Sequence, residues 1–234
     1  MIEFKAVTKQ YQTGQLALYN VNLALHQGEM AFLTGHSGAG KSTLLKLVAL
    51  LESPSEGSII VAGENIKSIR KNKIPGFRRN IGMIFQEHYL LSDRTVFDNV
   101  ALPLKIDGMR DHDIKRRVRA ALDKVNLKNK EKEYPLMLSA GEKQRVGIAR
   151  AVVNKPSIIL ADEPTGNLDP DLAQDIMHTF KQFNDYGSTV LIASHDHALI
   201  KEMKKRIVYC ERLKHNGCKA YSQPFFFRGE SYSP

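Results

Sequence analysis

Two periods of apolar spacing divide this chain. Over residues 2–8 and 18–25 apolar and polar positions alternate, the period of a strand buried on one face, and the Gln27-Gly28 turn follows the second stretch. The pattern predicts an antiparallel pair opening the domain. Residues 30–34 form a compact apolar run, as a strand buried on both faces should. A Gly-rich stretch follows, then a helical run over 41–51 with Leu44, Leu45, Leu47 and Val48 on one face, broken by Ser53-Pro54-Ser55-Glu56-Gly57. Further strands are predicted at 58–62 and 81–85. From about residue 86 to 138 strand signals vanish, and 95–104 and 111–127 carry helical spacing, the second with a strongly basic outer face. Another helix is predicted over 139–154, ended by Pro156. Buried-strand runs at 157–161 and 188–193 enclose a helix over 170–186.

The alternation of strands and helices predicts an α/β domain over 1–215, with a helical subdomain inserted at about 87–153. Residues 216–234, with Phe225-Phe226-Phe227 among polar neighbours, fit no element and form an unassigned tail.

Composition adds bounds. The chain has 234 residues, 42% hydrophobic and 25% charged, enough apolar material for one large domain. No apolar run approaches the roughly 18 residues that span a bilayer, and Met1-Ile2-Glu3-Phe4-Lys5 lacks the plan of a signal peptide. The expectation is a cytoplasmic chain unless a partner holds it elsewhere. Cys210 and Cys218 have no metal-ligand pattern around them and read as reduced and structural. The net charge of +9 gathers at Arg116-Arg117-Arg119, Lys128/Lys130/Lys132 and Lys204-Lys205-Arg206. Such clusters attract nucleotide, nucleic acid or an anionic membrane face, or are simply solvated helix surfaces. Charge alone does not choose.

Motifs do. Gly35-His36-Ser37-Gly38-Ala39-Gly40-Lys41-Ser42 fits G-x4-G-K-[ST] directly after a strand and at the start of a helix. Glycines let backbone N–H groups converge on one phosphate, and the helix start adds partial positive charge. Lys41 would reach the β- and γ-phosphates, the Ser42 hydroxyl would ligate Mg²⁺, and Thr43 extends the cradle. Ile158-Ile159-Leu160-Ala161-Asp162-Glu163 delivers two acids at the C-terminal end of a buried strand, the edge where open parallel sheets bind ligands. Alternation would send the pair to opposite sides, Asp162 to the Mg²⁺ shell and Glu163 to the attacking water. His195 and Gln86 end core strands on the same presumed edge.

Leu138-Ser139-Ala140-Gly141-Glu142-Lys143-Gln144-Arg145 resembles the signature of the ABC family, usually read as LSGGQ or LSGGE. With Gln86, Asn167-Leu168-Asp169 and His195 in order, the resemblance covers roughly residues 1–210. It implies a P-loop NTPase with an ABC-type nucleotide-binding domain, an inserted helical subdomain and an antiparallel β subdomain. It further implies ATP hydrolysis with Mg²⁺ held by Ser42, Gln86 and Asp162, and Glu163, His195 and Gln86 as catalytic residues. Tyr11 stands where the family stacks a ring on adenine, although an ordinary strand-end tyrosine is the alternative. The family geometry sets Ser139, Ala140, Gly141 and Glu142 against the γ-phosphate bound by a second copy, with Asp169 at the dimer turn. One cradle and one signature per chain therefore imply a homodimer. Ala140 replaces the usual glycine, which backbone contacts survive unless positive φ or very close approach is needed.

Within the family, the segments beginning Met30, Asn80, Asp93 and Val146 are similar to the cell-division ATP-binding (FtsE-type) branch. That similarity implies an integral FtsX-like partner, work in septal wall remodelling beside the cell-division ring, and a place on the cytoplasmic face of the bacterial inner membrane. No nucleic-acid partner is expected. Thr165-Gly166-Asn167-Leu168-Asp169 also resembles lipoprotein-release and macrolide-export ATPases. A soluble ABC ATPase acting on nucleic acid or ribosomes, and a nucleotide-dependent adaptor with negligible turnover, are the readings from other classes.

Overall fold

The computed structural model describes residues 1–166, 168–212 and 218–223; Asn167 and Phe225-Phe226-Phe227 lie outside the described residues. The first half runs β1 (Ile2–Gln10), β2 (Leu16–Leu25), β3 (Met30–Thr34), α1 (Lys41–Val48), β4 (Glu56–Val61), β5 (Glu64–Asn65), α2 (Ile74–Arg79), β6 (Ile81–Ile84), α3 (Val96–Ile106) and α4 (Asp111–Lys124). The second runs α5 (Ala140–Val152), β7 (Ile158–Asp162), α6 (Pro170–Asp185), β8 (Thr189–Ala193), α7 (His197–Met203), β9 (Arg206–Arg212) and β10 (Cys218–Gln223).

The strands form two sheets. An antiparallel sheet has the order β2-β1-β4-β5, and the main sheet has the order β10-β9-β3-β8-β7-β6. Within the main sheet all neighbouring pairs are parallel except β10 with β9. Every residue of β3, β7 and β8 is buried, which is why their sequences are unbroken apolar runs rather than alternations.

In β1 the alternation is interrupted for a physical reason. Ile2 and Phe4 point inward, but the next inward residue is Val7, three positions on. The register with β2 shifts between Phe4 and Val7, and Ala6 takes φ 50°. This is a bulge, and the Ala6 N–H it frees donates to Asn22 Oδ1 at 2.9 Å.

Two apolar layers sandwich the main sheet, and alternate residues of the same strands serve each. Phe32, Ile159, Ala161, Val190 and Ile192 pack with α3, α4, α5 and α6. Ala31, Leu33, Leu160, Leu191 and Ala193 pack with α1 and the antiparallel sheet. The helices expected as an inserted subdomain are present; α3, α4 and α5 pack on one another, and their buried residues join those of the sheet's near face in one cluster.

Several elements depart from the sequence expectations. Helix α1 stops at Val48 rather than 51, because the chain turns through Leu50 at φ 55°. Helices α2 and α7 and strand β9 are additional. The tail begins with structure: β10 pairs residue for residue with β9, from Cys218 opposite Arg212 to Gln223 opposite Ile207, so the main sheet runs past residue 215. The basic clusters are partly tied down. Arg206 donates to Ala24 O and Glu29 Oε1 at 2.8 and 2.9 Å, and Arg119 clamps Glu131 with two bonds of 3.0 Å.

Parallel pairing sets the ends of three strands side by side. Leu33 of β3 and Asp162 of β7 both lie opposite Ala193 of β8. The loop after β3, the acids after β7 and the histidine after β8 therefore meet at one edge.

The bulge makes one glycine obligatory. Gly57 has φ +76°, and a Cβ there would lie 2.3 Å from Ala6 O and 2.5 Å from Lys5 O. Gly57→Ala should lower stability by about 2–3 kcal/mol in urea titrations; an unchanged midpoint would show that the β1–β4 contact yields freely.

Candidate functional site

The loop between β3 and α1 has the conformation its glycines permit. Gly35 (φ +148°) passes so close to β9 that a Cβ would lie 2.2 Å from Cys210 O. Gly40 caps α1 in the left-handed conformation, with Ala17 O at 2.8 Å from where a Cβ would be. No side chain caps α1 and its first turn carries no acid, so its leading N–H groups are left for an anion.

Lys41 lies almost buried beneath this loop. Its Nζ donates to Gly35 O at 2.8 Å and to His36 O at 3.4 Å, and stands 3.7 Å from Glu163 Oε1. The Ser42 hydroxyl donates to Asp162 Oδ1 at 3.0 Å, joining the start of α1 to the end of β7. Glu163 does not continue the strand's alternation: it turns at φ 48°, its N–H bonded to Ala193 O at 2.9 Å. That turn brings its Oε2 within 2.8 Å of His195 Nδ1. Its carboxylate thus sits between an ammonium and an imidazole.

A cleft of about 640 Å³ opens here. Gly35, His36, Ser37, Gly38, Lys41 and Ser42 line one side, and Gln86, Glu163 and His195 line the other. Ala39 is buried under the loop, and Gly40 and Thr43 belong to the start of α1. Tyr11 is not in the cleft wall. Its hydroxyl shares a 3.1 Å hydrogen bond with Thr43 Oγ1, and Lys9 Nζ lies 4.9 Å from its ring centroid, covering one face.

The signature lies elsewhere. Ser139 caps α5 in a reciprocal capping box with Glu142, whose carboxyl is held below the usual range first by the Ser139 backbone hydrogen bond and also by Lys130. The next two positions differ sharply. Ala140 is exposed at the first turn of α5 and takes no positive φ, so nothing in the backbone demands glycine there. A Cβ on Gly141 would lie 2.0 Å from Leu172 Cδ2. Asp169 caps α6 through Leu172 N at 3.0 Å. None of Ser139, Ala140, Gly141, Glu142 or Asp169 lines the cleft of its own chain.

Sequence reasoning missed Thr34 and His197 in the cleft wall, and also the residues that hold the segment after Gln86. Arg150 of α5 donates to the carbonyls of His88 and Tyr89. Fully buried Asn99 of α3 accepts from Leu91 N and donates to Leu91 O, Arg94 O and Thr95 O. Both looked like ordinary polar helix residues; only burial in three dimensions reveals them. The segment that begins two residues after Gln86 is thereby tied to the signature helix.

His88 sits in this knot. Burial, then the charges of Lys143 and Arg150, lower its pKa. The unfolded chain therefore takes up the proton more readily than the folded one, so the stability tied to neutral His88 is complete above about pH 6.5 and declines as pH falls from there towards the depressed native value. Wild-type protein should lose more stability than His88→Gln between pH 7.5 and 5.5 in urea titrations; parallel losses would show that the ring titrates as if exposed.

Comparison with known proteins places the chain. The ABC transporter family profile matches residues 18–166. A cell division ATP-binding protein, FtsE, of Escherichia coli K12 is 57% identical over 208 residues, covering 89% of this chain and 94% of that protein. FtsE of Bacillus subtilis 168 is 44% identical over 211 residues, with 90% and 92% covered. Among solved structures, the dimeric post-hydrolysis state of the ATP-binding cassette MJ0796 bound to ADP and phosphate superposes with a TM-score of 0.86 at 34% identity, covering 97% of this chain and all of that one. With the phosphate loop, the paired acids and the signature placed as above, this chain belongs to the ATP-hydrolysing subunits of the ABC family, in the branch of the cell-division ATP-binding proteins.

Proposed function

We propose that the 640 Å³ cleft holds the triphosphate of ATP and that Glu163 is the general base of its hydrolysis. The observation that carries this is the Glu163 carboxylate, fixed by Lys41 on one oxygen and His195 on the other at the cleft wall. Leading N–H groups of α1 and Lys41 bind the β- and γ-phosphates. A water beside Glu163 gives up its proton to the carboxylate as its oxygen bonds to Pγ, and the bond from Pγ to the bridging oxygen breaks to release ADP. His195, tied to Glu163 through Nδ1, keeps its other ring nitrogen for a γ-phosphate oxygen. Gln86 faces the same group and reports its presence through the Arg150 and Asn99 tether.

The site fits Mg²⁺. Ser42 Oγ and Asp162 Oδ1 bring a hydroxyl and a nearly buried carboxylate together, hard oxygen donors of the kind this ion takes, with Gln86 facing the same cleft. Among the described residues no cluster of three acids, histidines or cysteines could hold a metal by itself, so the ion would come with the phosphates. When bound, Mg²⁺ offsets negative charge on the β- and γ-oxygens.

The assembly in this reading is a homodimer. The signature lies outside its own chain's cleft, and a second copy would bring Ser139 and Gly141 to the γ-phosphate, with Asp169 at the turn between the copies. Ala140 is exposed and has no positive φ, so its own backbone does not demand glycine; a close approach of the second copy's phosphate would lower hydrolysis without abolishing binding. No helix among the described residues is long and apolar enough to cross a membrane. Together with the FtsE likeness, this supports an integral FtsX-like partner that holds the subunit at the cytoplasmic face of the bacterial inner membrane. There the ATP cycle would drive septal wall remodelling beside the division ring.

Glu163→Gln should still bind ATP while turnover falls about 10²–10⁴-fold and a dimer accumulates in sedimentation with ATP; brisk phosphate release would remove Glu163 from the role of base. Lys41→Ala should abolish nucleotide binding in equilibrium titration. Affinity capture from detergent-solubilised membranes of the source bacterium should recover an integral FtsX-like protein, and recovery of ribosomes or DNA in its place would overturn the cell-division reading.

A further inference from the structure

At the edge of the main sheet opposite the nucleotide cleft lies a second cavity, of about 810 Å³. It is enclosed by α4, by residues 153–157 entering β7 and by residues 186–188 entering β8. Its floor is apolar: Ala121, Val152, Val153, Ile159 and Phe183 are all buried. Its rim is cationic, with Arg116, Arg117, Lys124 and Lys155, and none of its lining residues carries a carboxylate.

The cations differ in how far they are satisfied. Arg116 is bonded to Asp113 at 3.2 Å. Lys124 Nζ lies over the Tyr186 ring, 4.4 Å from its centroid, and 6.0 Å from that of Phe183. Arg117, half-buried, and Lys155 have no ion-pair partner among the described residues. Lys155 is exposed and Arg117 half-buried, and no carboxylate among the lining residues offsets their charge. An anion placed at this rim supplies the missing counter-charge, and the floor beneath can bury an apolar body. The volume is within the range of small-molecule sites. Exposed Tyr186 stands at the mouth with Lys124 over its ring, so aromatic and cationic surface meet at the entrance.

We propose that this cavity is a second ligand site, for an amphiphilic anion: a carboxylate or phosphate carried on an apolar chain or ring. The anionic group bonds to Arg117 and Lys155, and the apolar body lies over Val152, Ile159 and Phe183. Because the site abuts α4 and the C-terminal end of α5, occupancy is felt by the helix that carries the signature at its other end. The assignment is independent of the nucleotide cleft, which lies a full strand length away.

The test uses the full-length protein saturated with Mg²⁺ and a non-hydrolysable ATP analogue, so that the first cleft is filled. Isothermal titration with decanoate, decanol and inorganic phosphate separates the anionic group from the apolar body. Decanoate should bind one site per chain, at least about tenfold tighter than decanol or phosphate. The Arg117→Gln/Lys155→Gln double variant should weaken decanoate about tenfold or more while its ATP turnover and melting temperature stay those of wild type. Co-sedimentation with phosphatidylglycerol vesicles, abolished in the double variant, would assign the amphiphile to a membrane lipid. Decanoate binding without vesicle binding would assign it to a free metabolite. Equal affinity for decanol, displacement of decanoate by the nucleotide analogue, or undiminished binding by the double variant would each overturn the proposal.

Discussion

The hydrogen bond from the Ser42 hydroxyl to the Asp162 carboxylate joins two parts of the chain that share no hydrogen-bonded strand ladder. One is the helix that follows the phosphate loop; the other is the strand that ends in the paired acids. Strands β3 and β7 are not neighbours, for β8 lies between them. The bond spans that gap above the strand ends and fixes the loop relative to the acids. Lys41 beneath the loop and Glu163 beyond the strand then come within 3.7 Å of one another. The ladders through β8 set the strand ends side by side, and this bond adds a direct side-chain tie between cradle and carboxylate.

Glu163 shows what such a site demands of the backbone. A non-glycine residue at φ 48° stores strain on the order of 1–3 kcal/mol. Here the conformation is held by a main-chain bond to Ala193 and by partners on both carboxylate oxygens. Strand alternation would have pointed Glu163 away from Asp162. The left-handed turn instead keeps both acids at one edge with different partners, Asp162 towards the Ser42 hydroxyl and Glu163 towards Lys41 and His195.

Much of this was legible in the residues. Buried strands announce themselves when both faces are covered, as in β3, β7 and β8, and the phosphate loop is recognisable because a strand precedes it and a helix follows. Gln86 and His195 gained meaning only from their position at strand ends. Strand β9 escaped notice because arginines close both its ends and its burial comes from pairing with β3 and β10, which no local pattern reveals. Asn99 and Arg150 escaped for the complementary reason. A polar residue in a helix reads as solvated until neighbouring segments are seen to enclose it. Helical periodicity has the same limit, since it reports which face of a helix is apolar and is silent on what covers it.

That shared core bears on how the subunit can transmit work. Helices α3, α4 and α5 interdigitate with the face of the main sheet through one continuous apolar layer. An outward swing of these helices would uncover part of that layer, Phe32, Ile159 and Ile192 among it, at a cost that rises with the apolar area exposed. Sliding displacements, in which side chains exchange rotamers while remaining covered, avoid that cost. A displacement that keeps this layer covered is therefore cheaper than one that opens it, whatever drives it.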